Sequence, residues 1–444
     1  MSETPATTRP AWQRFTPFLA GAPELTQRQW RVLGLVSIAT LFDQYDMSLF
    51  GMALPQIQAG LGIAEGDVGW LGSILRLGAL PALFIALAAD RVGRRRALLA
   101  TILGYTTLTG ATAFAPDVET YVALQFLARV FGTAEMLLAV VVISEELGPA
   151  TRGWGIGALF AIKSCGVGLA AGLLPLAAKS PQGWRWLYLV GLAPLLLVAW
   201  LRRSLPETER FAARAPSTDT GVWQPLVRLV RAYPGRFAVT AAIAVLYSLG
   251  IASADLMGAK YLQQAHGWSA RQVSLLYLGG GVIAIAGAPF AGRLSDRFGR
   301  RGTAIAFGLS LTALGLAFYN GGGAWLVPLW VVMIFFLIGN ETLLSTYGAE
   351  LFPTSHRSTA AGARLGLATL GGALGLGLES ALYGVTGSHW SAISILLAAT
   401  LAAPLLVAFA LPETAGRSLE EIAPEHDDVP PFPATSPTPE RTTA

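Results

Sequence analysis

Twelve apolar stretches divide this chain, and they constrain its fold more than any other feature. Residues 390–411, for example, contain no charged side chain, and about 20 apolar residues in a helix are enough to cross the hydrocarbon core of a bilayer. The stretches are separated by turn and charge signals, and they lie near residues 31–59, 68–89, 97–115, 120–144, 154–178, 185–203, 236–263, 271–293, 302–319, 325–350, 358–386 and 389–411. The sequence therefore predicts an all-α polytopic membrane protein with twelve transmembrane helices.

The composition excludes most other classes of protein. Only 13% of the 444 residues are charged, whereas a soluble domain usually carries about 25%, so the chain cannot cover its surface with polar side chains. Cys165 is the single cysteine, which leaves no intramolecular disulfide, and no Cys/His cluster has the spacing of a metal site. The arginines are scattered between apolar runs and form no basic patch of the kind that binds nucleic acid. We expect no cofactor, no bound metal and no nucleic-acid partner.

The distribution of Lys and Arg predicts how the chain is oriented. The loops on one side of the twelve stretches hold 17 of these residues, and the loops on the other side hold four, which are Lys179, Arg185, Lys260 and Arg271. Positively charged loops are retained in the cytoplasm. Both termini are therefore predicted to be cytoplasmic, in a multi-pass protein of the cell membrane that is surrounded by the lipid bilayer.

The same stretches divide the chain into five parts. These are an N-terminal tail (1–29), a first bundle of six helices (30–203), a linker (204–235), a second bundle of six helices (236–411) and a C-terminal tail (412–444). Both tails and the linker are predicted to be cytoplasmic, and neither the linker nor the C-terminal tail has the composition of a separate globular domain.

Two repeated motifs show that the bundles are duplicates of each other. The segment DRVGRR at residues 90–95 recurs as DRFGRR at residues 296–301, and LPET at 205–208 recurs at 411–414. Both offsets are 206 residues, since 296 − 90 and 411 − 205 give the same number. Parallel six-helix halves are one of the recognised architectures of membrane transporters.

These motifs resemble those of a known family. The D-R-x-G-R-R loop after the second helix of each half is similar to the signature of the major facilitator superfamily. Residues 206–210 (PETER) and 412–422 (PETAGRSLEEI) resemble elements of its sugar-porter branch, and residues 42–46 (FDQYD) are similar to the D-G-[FY]-D pattern of its aromatic-acid and metabolite proton symporters. The seventh helix has GIASAD at residues 250–255 in place of the sugar porters' Q-Q-x-S-G-x-N. The resemblance implies a monomeric secondary transporter.

Charged residues inside the apolar stretches are the candidates for transport chemistry. Such a residue costs roughly 2.5–3.5 kcal/mol on insertion scales, so it marks a functional site by default. A central cavity for proton coupling or substrate binding is predicted to contain Asp43, Asp46, Arg76, Arg129, Glu135, Lys163, Asp255 and Glu341. A buried carboxyl beside a cation can couple proton occupancy to a change of state. The four histidines fall in loops, near helix ends or in the tail, so carboxylates are the better proton carriers.

Each candidate has a structural alternative. Asp43 and Asp46 with Arg129 are either a coupling site or a static interhelical ion pair. Glu135 is either a proton carrier or the structural partner of Lys163, which depth along the helices places near it. Asp255, like Glu379, lies near the outer end of its helix, which is typical of a hydrated rim residue. Glu341 is the repeat partner of Glu135, because 341 − 135 is also 206.

The family resemblance also implies a gating network on the cytoplasmic side. In the superfamily the Asp of the loop motif caps a neighbouring helix and joins a network of ion pairs, which latches the two halves while the cavity faces outward. The members implied here are Asp90, Arg91, Arg94, Glu146, Arg152, Glu207, Asp296, Arg297, Arg300, Glu350, Arg357 and Glu413.

The functional expectation is a proton-coupled symporter that imports a small polar metabolite by alternating access. The substrate is either a sugar or polyol, or an organic or aromatic acid, and Arg76, Arg129 and Lys163 tilt the prediction slightly toward an anion. The alternatives are a proton-driven efflux antiporter for drugs or metabolites, and a uniporter. No H-E-x-x-H, nucleophile elbow or P-loop is present in the sequence, so an enzyme is not expected.

Overall fold

The computed structural model describes residues 23–148, 151–179, 182–202, 224–417 and 419–423. Their secondary structure is helical throughout, with short 3₁₀ turns at Glu65–Asp67 and Gly323–Trp325 and a π-helical turn at Tyr261–Ala265. The α-helices of these ranges are α1 (Gln27–Met52), α2 (Leu54–Leu61), α3 (Val68–Leu77), α4 (Ala82–Val92), α5 (Arg94–Thr112), α6 (Val118–Glu146), α7 (Arg152–Ala177), α8 (Gly183–Arg202), α9 (Gln224–Ala232), α10 (Pro234–Lys260), α11 (Ala270–Ile285), α12 (Gly287–Phe298), α13 (Arg300–Asn320), α14 (Leu326–Glu350), α15 (Arg357–Thr386), α16 (His389–Ala399), α17 (Ala402–Ala410) and α18 (Leu419–Ile422).

The predicted all-helical membrane architecture is confirmed for the described residues. Ten helical segments of the described residues are long and apolar enough to cross a membrane. The other two predicted stretches, the first and the third, coincide with α1 and α5, helices of 26 and 19 residues. These two are more polar, because α1 carries two aspartates and α5 begins with three arginines. Most of the linker predicted at 204–235 lies outside the described residues, apart from α9.

The duplicated loop motif has the same backbone geometry in both halves. Gly93 separates α4 from α5 with φ +103°, and Gly299 separates α12 from α13 with φ +97°. Residues with a side chain rarely adopt this conformation, whereas glycine does so without steric cost. The glycine of the motif is therefore required for the tight connection between two antiparallel helices.

A second repeated feature is a break in the helix before each loop motif. Between α3 and α4, the backbone N–H groups of Gly78, Ala79 and Leu80 donate to carbonyls three residues earlier, and Pro81 follows without an N–H of its own. Between α11 and α12, Ala286 donates in the same way to Ile283. Proline cannot continue the α-helical ladder. The first break places Arg76 in the last turn of α3.

The two halves meet mainly through segments on one side of the molecule. The side where α1 begins and α17 ends is called the terminal side below, and the other is the opposite side. The halves are in contact through α1 with α10, α3 with α15, and α7 with α11. The terminal-side segments α4 and α12 pack instead against α5 and α6, and against α13 and α14, in their own halves. The interface is therefore closed toward the opposite side.

Glycines allow the closest helix crossing in the second half. In α15, a side chain on Gly371 would collide with the backbone of Val245 in α10, and one on Gly375 would collide with the backbone of Leu249. Small residues let membrane helices approach until their backbones touch, and this packing is a main source of stability in lipid.

A larger residue at this crossing is expected to destabilise the protein. The change Gly375→Val should lower the free energy of unfolding by about 1–3 kcal/mol, the usual cost of overpacking, because α10 and α15 would have to separate. Thermal unfolding in detergent measures it. Gly384→Val is the matched control, since Gly384 lies in the same helix with open space around it. Equal melting temperatures for the two variants would contradict the role of the crossing.

Candidate functional site

A cavity of about 660 Å³ lies between the two halves near the middle of the helices. Five of the predicted site residues line it, and they come from four different helices: Asp43, Asp46, Arg76, Arg129 and Asp255. All but Asp255 belong to the first half. Depth along the helices put Asp43, Asp46, Arg76 and Arg129 at a common level, and the structure places these four, together with Asp255, around one cavity.

Asp43 is a buried carboxylate with a cation beside it. Its side chain in α1 is 4% exposed, and its Oδ2 lies 3.9 Å from Nζ of Lys163 in α7. Gly132 of α6 makes room for the carboxylate, because a side chain at that position would overlap Oδ1. Lys163 thus joins Asp43, and not Glu135 as depth alone predicted. A buried carboxylate with one long ion pair retains capacity for a further donor.

Asp46 lies one helical turn further along α1, near the polar side chains of Thr109 and Gln125. Thr109 donates a weak hydrogen bond of 3.5 Å to its Oδ2, while Oδ1 is buried and has no hydrogen-bond partner among the described residues. A buried carboxylate oxygen without a donor is costly, and protonation removes that cost. Of the cavity carboxylates in the described part of the chain, Asp46 therefore has the environment best suited to accept a proton.

Arg76 and Arg129 supply positive charge to the same cavity. Each has one buried guanidinium nitrogen, Nε of Arg76 and Nη1 of Arg129, that has no hydrogen-bond partner within the described residues. Asp43 and Asp46 stabilise the charge of Arg129, and Asp255 does the same for Arg76. A guanidinium group with unused donors is suited to bind a carboxylate, since its fork matches two oxygens.

The wall that faces these charges is apolar and aromatic. Trp330 of α14 and Tyr277 of α11 line the cavity with their ring centroids 4.5 Å apart, and Phe50 of α1 is a further aromatic residue of the lining. Cys165 of α7 also lines the cavity and is exposed to it. Tyr277 was not among the residues expected in the cavity, because nothing in a single aromatic residue shows which way its helix faces.

The repeat-related carboxylates Glu135 and Glu341 lie outside the residues that line this cavity, and their environments differ. Glu135 is 1% exposed, and Oγ1 of Thr101 donates to it at 2.5 Å. The side chain of Glu341 is half exposed and lies 4.0 Å from Arg364. The equivalence in sequence therefore does not extend to equivalent surroundings.

The structure places neither Asp255 nor Glu379 at the outer rim, which was the alternative position for both. Asp255 lines the central cavity. Glu379 is fully buried, and its Oε1 lies 2.6 Å from Nδ1 of His389. The helix α15 turns this carboxylate toward the interior, which depth along the helix does not reveal.

Several members of the predicted gating network form ion pairs, and each pair joins residues of the same half. Arg94 binds Glu145 at 3.2 Å, and Arg300 binds Glu350 at 3.2 Å. The equivalent of Glu350 is thus Glu145. The predicted member of the network, Glu146, is the next residue and binds Arg28 at 2.9 Å.

In the second half, the predicted helix cap is made by a different residue. The expectation was that Asp296 caps a neighbouring helix, but it receives the Arg300 side chain instead. Glu413 accepts hydrogen bonds from the backbone N–H groups of Arg300 at 2.7 Å and Arg301 at 3.1 Å. A carboxylate at this position favours the helix, because the first turn of α13 has free N–H groups and a positive dipole end.

The remaining members of the network take other positions. The guanidinium of Arg297 lies 5.3 Å from the ring centroid of Phe298, and Nε of Arg357 donates to the carbonyl of Ala349 at 3.0 Å. Nε of Arg152 has no hydrogen-bond partner within the described residues. Glu207 and the side chains of Asp90 and Arg91 lie outside what the structure describes.

Polar contacts on the opposite side join the two halves, and no motif in the sequence marks them. Lys260 donates to Oε1 of Gln58 at 2.8 Å and also binds Glu65, while Nε2 of Gln56 donates to Oε1 of Gln263 at 2.6 Å. Lys260 is fully buried, although its sequence position places it at the border of a short loop. With the halves joined there, the cavity opens toward the terminal side.

Comparison with known proteins gives the family. A family model described as Major Facilitator Superfamily matches residues 36–339 and 240–437, which together span most of the chain. The chain belongs to the Major Facilitator Superfamily. This superfamily transporter is therefore a multi-pass membrane protein that moves small molecules, and it is not an enzyme.

Individual relatives are similar over most of their length. The superfamily transporter is 28% identical to a cis,cis-muconate transport protein of Acinetobacter baylyi, over 78% of this chain and 86% of the relative. It is 27% identical to a gallate transporter of Pseudomonas putida, over 78% and 84%. A solved D-xylose–proton symporter has the same fold, with a TM-score of 0.73 at 16% identity over 88% of this chain and 99% of that one.

The helix cap made by Glu413 gives a pH-dependent prediction. Burial raises the pKa of Glu413, but the backbone N–H groups of Ala415, Arg300, Arg301 and Thr414 outweigh it and hold the pKa below its ordinary value. A lowered folded-state pKa adds stability that is present above the unfolded pKa and is lost as the pH falls through the folded one.

Glu413→Gln should therefore lower the free energy of unfolding by about 1 kcal/mol at neutral pH, the usual size of a helix-cap effect. The difference from wild type should shrink as the pH falls below about 4, where the carboxylate becomes protonated. Thermal unfolding in detergent across this pH range measures both. Glu24→Gln, at an exposed position before α1, is the control, and a difference that does not change with pH would argue against the cap.

Proposed function

We propose that this superfamily transporter imports a small organic acid with an aromatic or otherwise planar skeleton, together with protons, by symport. The observation that carries the proposal is the pair of arginines, Arg76 and Arg129, that line the cavity with unused guanidinium donors. Their partner in the loaded state is the carboxylate of the substrate. A sugar or polyol lacks the paired carboxylate oxygens that match the fork of a guanidinium group.

The charge balance of the cavity supports coupling to a proton. Asp43, Asp46 and Asp255 oppose Arg76, Arg129 and Lys163 in and beside the cavity, so three negative charges meet three positive ones. Adding an anion alone would leave a buried negative charge, which is costly in a low-dielectric site. One proton on Asp46 compensates for it. Proton and anion then favour each other's binding, and this favourable coupling is necessarily reciprocal.

The apolar wall supports a planar substrate. Trp330 and Tyr277 line the same cavity as the arginines, and its volume of about 660 Å³ is typical of small-molecule sites. A ring or conjugated chain can stack on these aromatic faces. The relatives named for muconate and for gallate fit this description, since both molecules combine carboxylate with an unsaturated skeleton.

The orientation follows from the charge distribution of the loops. We place the terminal side, with both termini, in the cytoplasm, because that side carries most of the Lys and Arg residues. The protein then crosses the cell membrane twelve times as a monomer, and the cavity described above is open to the cytoplasm. In the outward-facing state, the cytoplasmic pairs such as Arg94–Glu145 are expected to exchange partners between the halves and to latch them.

The direction and coupling of transport are tested in right-side-out vesicles with an inward proton gradient. Wild-type protein should accumulate labelled aromatic acid above the level of vesicles that lack it, and an uncoupler should abolish this. Asp46→Asn should lose accumulation while retaining exchange of internal for external substrate, since a permanently neutral group cannot carry the proton. Glu119→Gln, an exposed position at the start of α6, should behave as wild type.

Other outcomes of the vesicle experiment exclude the proposal directly. Expulsion of the acid under the same gradient indicates efflux by antiport. Uptake that an uncoupler leaves unchanged indicates a uniporter. Full accumulation by Asp46→Asn means that another carboxylate carries the proton.

The arginine assignment is tested by substrate binding. In Arg129→Gln, the substrate concentration needed to protect Cys165 from a thiol reagent should rise by at least about tenfold, because the carboxylate loses its charged partner. This rise corresponds to about 1.4 kcal/mol of binding free energy. Arg129→Lys should fall between Gln and wild type, since it keeps the charge without the planar fork. Lys179→Gln, at an exposed position, is the control. If the same substrate concentration protected Cys165 in Arg129→Gln as in wild type, Arg129 would not be part of the binding site.

A further inference from the structure

His389 links the two halves on the opposite side, which is the outer face of the protein in the proposed orientation. It is the first residue of α16 and is 5% exposed. Its Nδ1 lies 2.6 Å from Oε1 of Glu379 in the same half, and its Nε2 lies 3.0 Å from Oε2 of Glu65 in the other half. The imidazole ring therefore bridges the interface that closes the cavity on this side.

This geometry requires one proton more than a neutral imidazole and two carboxylates carry. A carboxylate only accepts hydrogen bonds, and a neutral imidazole has one donor and one acceptor. With both ring nitrogens facing carboxylate oxygens, a neutral ring would set a lone pair against a negative charge. The contact is satisfied when both nitrogens carry hydrogen, or when Glu379 is protonated and donates to Nδ1.

The charges around the ring also indicate one additional proton. Lys260 of α10 carries one positive charge, and Glu65 and Glu379 carry two negative ones, so the cluster has a net charge of −1 with a neutral His389. Lys260 and Glu379 are both fully buried. The other titratable groups that face the cluster, Tyr383 of α15 and Tyr319 of α13, are uncharged near neutral pH. One added proton makes the cluster neutral.

We propose that His389, Glu379 and Glu65 form a second proton-binding site, separate from the cavity carboxylates, which holds a proton while the outer face is closed and releases it on opening. Opening separates Glu65 from His389, and the ring then faces one carboxylate that a neutral imidazole can satisfy. Because the site lies outside the cavity on the outer face, this proton returns to the outside. It sets the balance of states and is not transported.

The direction of the pH effect follows from proton linkage. The closed state binds one more proton than the open state, so a high external pH favours opening and a low one favours closure, by up to about tenfold per pH unit. Histidine is the side chain whose charge changes most readily between pH 5 and 8. The statement that this face is external rests on the proposed orientation.

Two substitutions distinguish the effect of the added proton from that of the other interactions in the contact. In Glu379→Gln, the amide can donate to Nδ1 of a neutral His389, whose Nε2–H still donates to Glu65, while Lys260 and Glu65 balance each other. The closed state then needs no added proton and should persist at all pH values. In His389→Gln, the cluster keeps its net negative charge, and closure should be weak at all pH values.

Cys165 reports on the closure. It is the single cysteine of the chain and lines the cavity, so a membrane-impermeant thiol reagent added outside right-side-out vesicles reaches it only when the outer face opens. Each labelling rate is divided by that of the denatured protein at the same pH, which removes the pH dependence of the thiol reaction. The rate for wild type should rise roughly tenfold or more between about pH 6 and about pH 8. Glu379→Gln should stay low, and His389→Gln should stay high.

Two further variants serve as controls for the labelling experiment. His266→Gln should keep the wild-type pH profile, because His266 packs on the ring of Tyr261 and its Nε2 has no hydrogen-bond partner among the described residues, and Cys165→Ala should show no labelling. Thermal unfolding checks that each variant is folded. A flat wild-type profile, or a wild-type profile in Glu379→Gln, overturns the proposed proton site. Acid uptake in the same vesicles is a separate readout, so failure of the proposed function is recognised independently.

Discussion

A charged side chain within a membrane protein must find a partner, because neither lipid nor a tightly packed helix interface solvates it. This constraint accounts for where the charges of the chain lie. Asp43 is beside Lys163, Lys260 is beside Glu65, and His389 lies between two carboxylates. These groups lie in the cavity or at the contact between the halves. The energetic cost of burying charge is thus concentrated at the interface that has to open and close.

The duplication supplies two similar scaffolds on which the charges are unequal. Gly93 and Gly299 have nearly the same backbone conformation, yet the positions 206 residues after Asp46 and Arg76 are Ala252 and Val282, which also line the cavity. The first half therefore provides most of the polar groups, and the second provides apolar and aromatic surface. Such a division suits a substrate with a charged end and a planar body, since each half contacts a different part of it.

Sequence patterns predicted the helices and the shared cavity because hydrophobic periodicity and depth along a helix are local properties. They did not predict which way a helix turns its side chains. One residue rotates the direction by about 100°, which is why Arg94 binds Glu145 and not Glu146. Lys260 and Glu379 were assigned to hydrated positions for the same reason. Their burial depends on contacts between segments about 200 residues or more apart in the chain, such as Lys260 with Gln58.

The two proposed proton sites follow from one electrostatic rule applied to two different states. In the cavity, the anion of the substrate adds a negative charge that a proton on Asp46 compensates. At the outer contact, closure brings Glu65 against His389, beside the buried Glu379, and a proton at His389 compensates for the second negative charge. The first proton moves with the substrate because it lies in the cavity whose access alternates. The second stays with the contact because it lies on the outer side of that cavity, so external pH acts on the conformational equilibrium separately from the driving force for uptake.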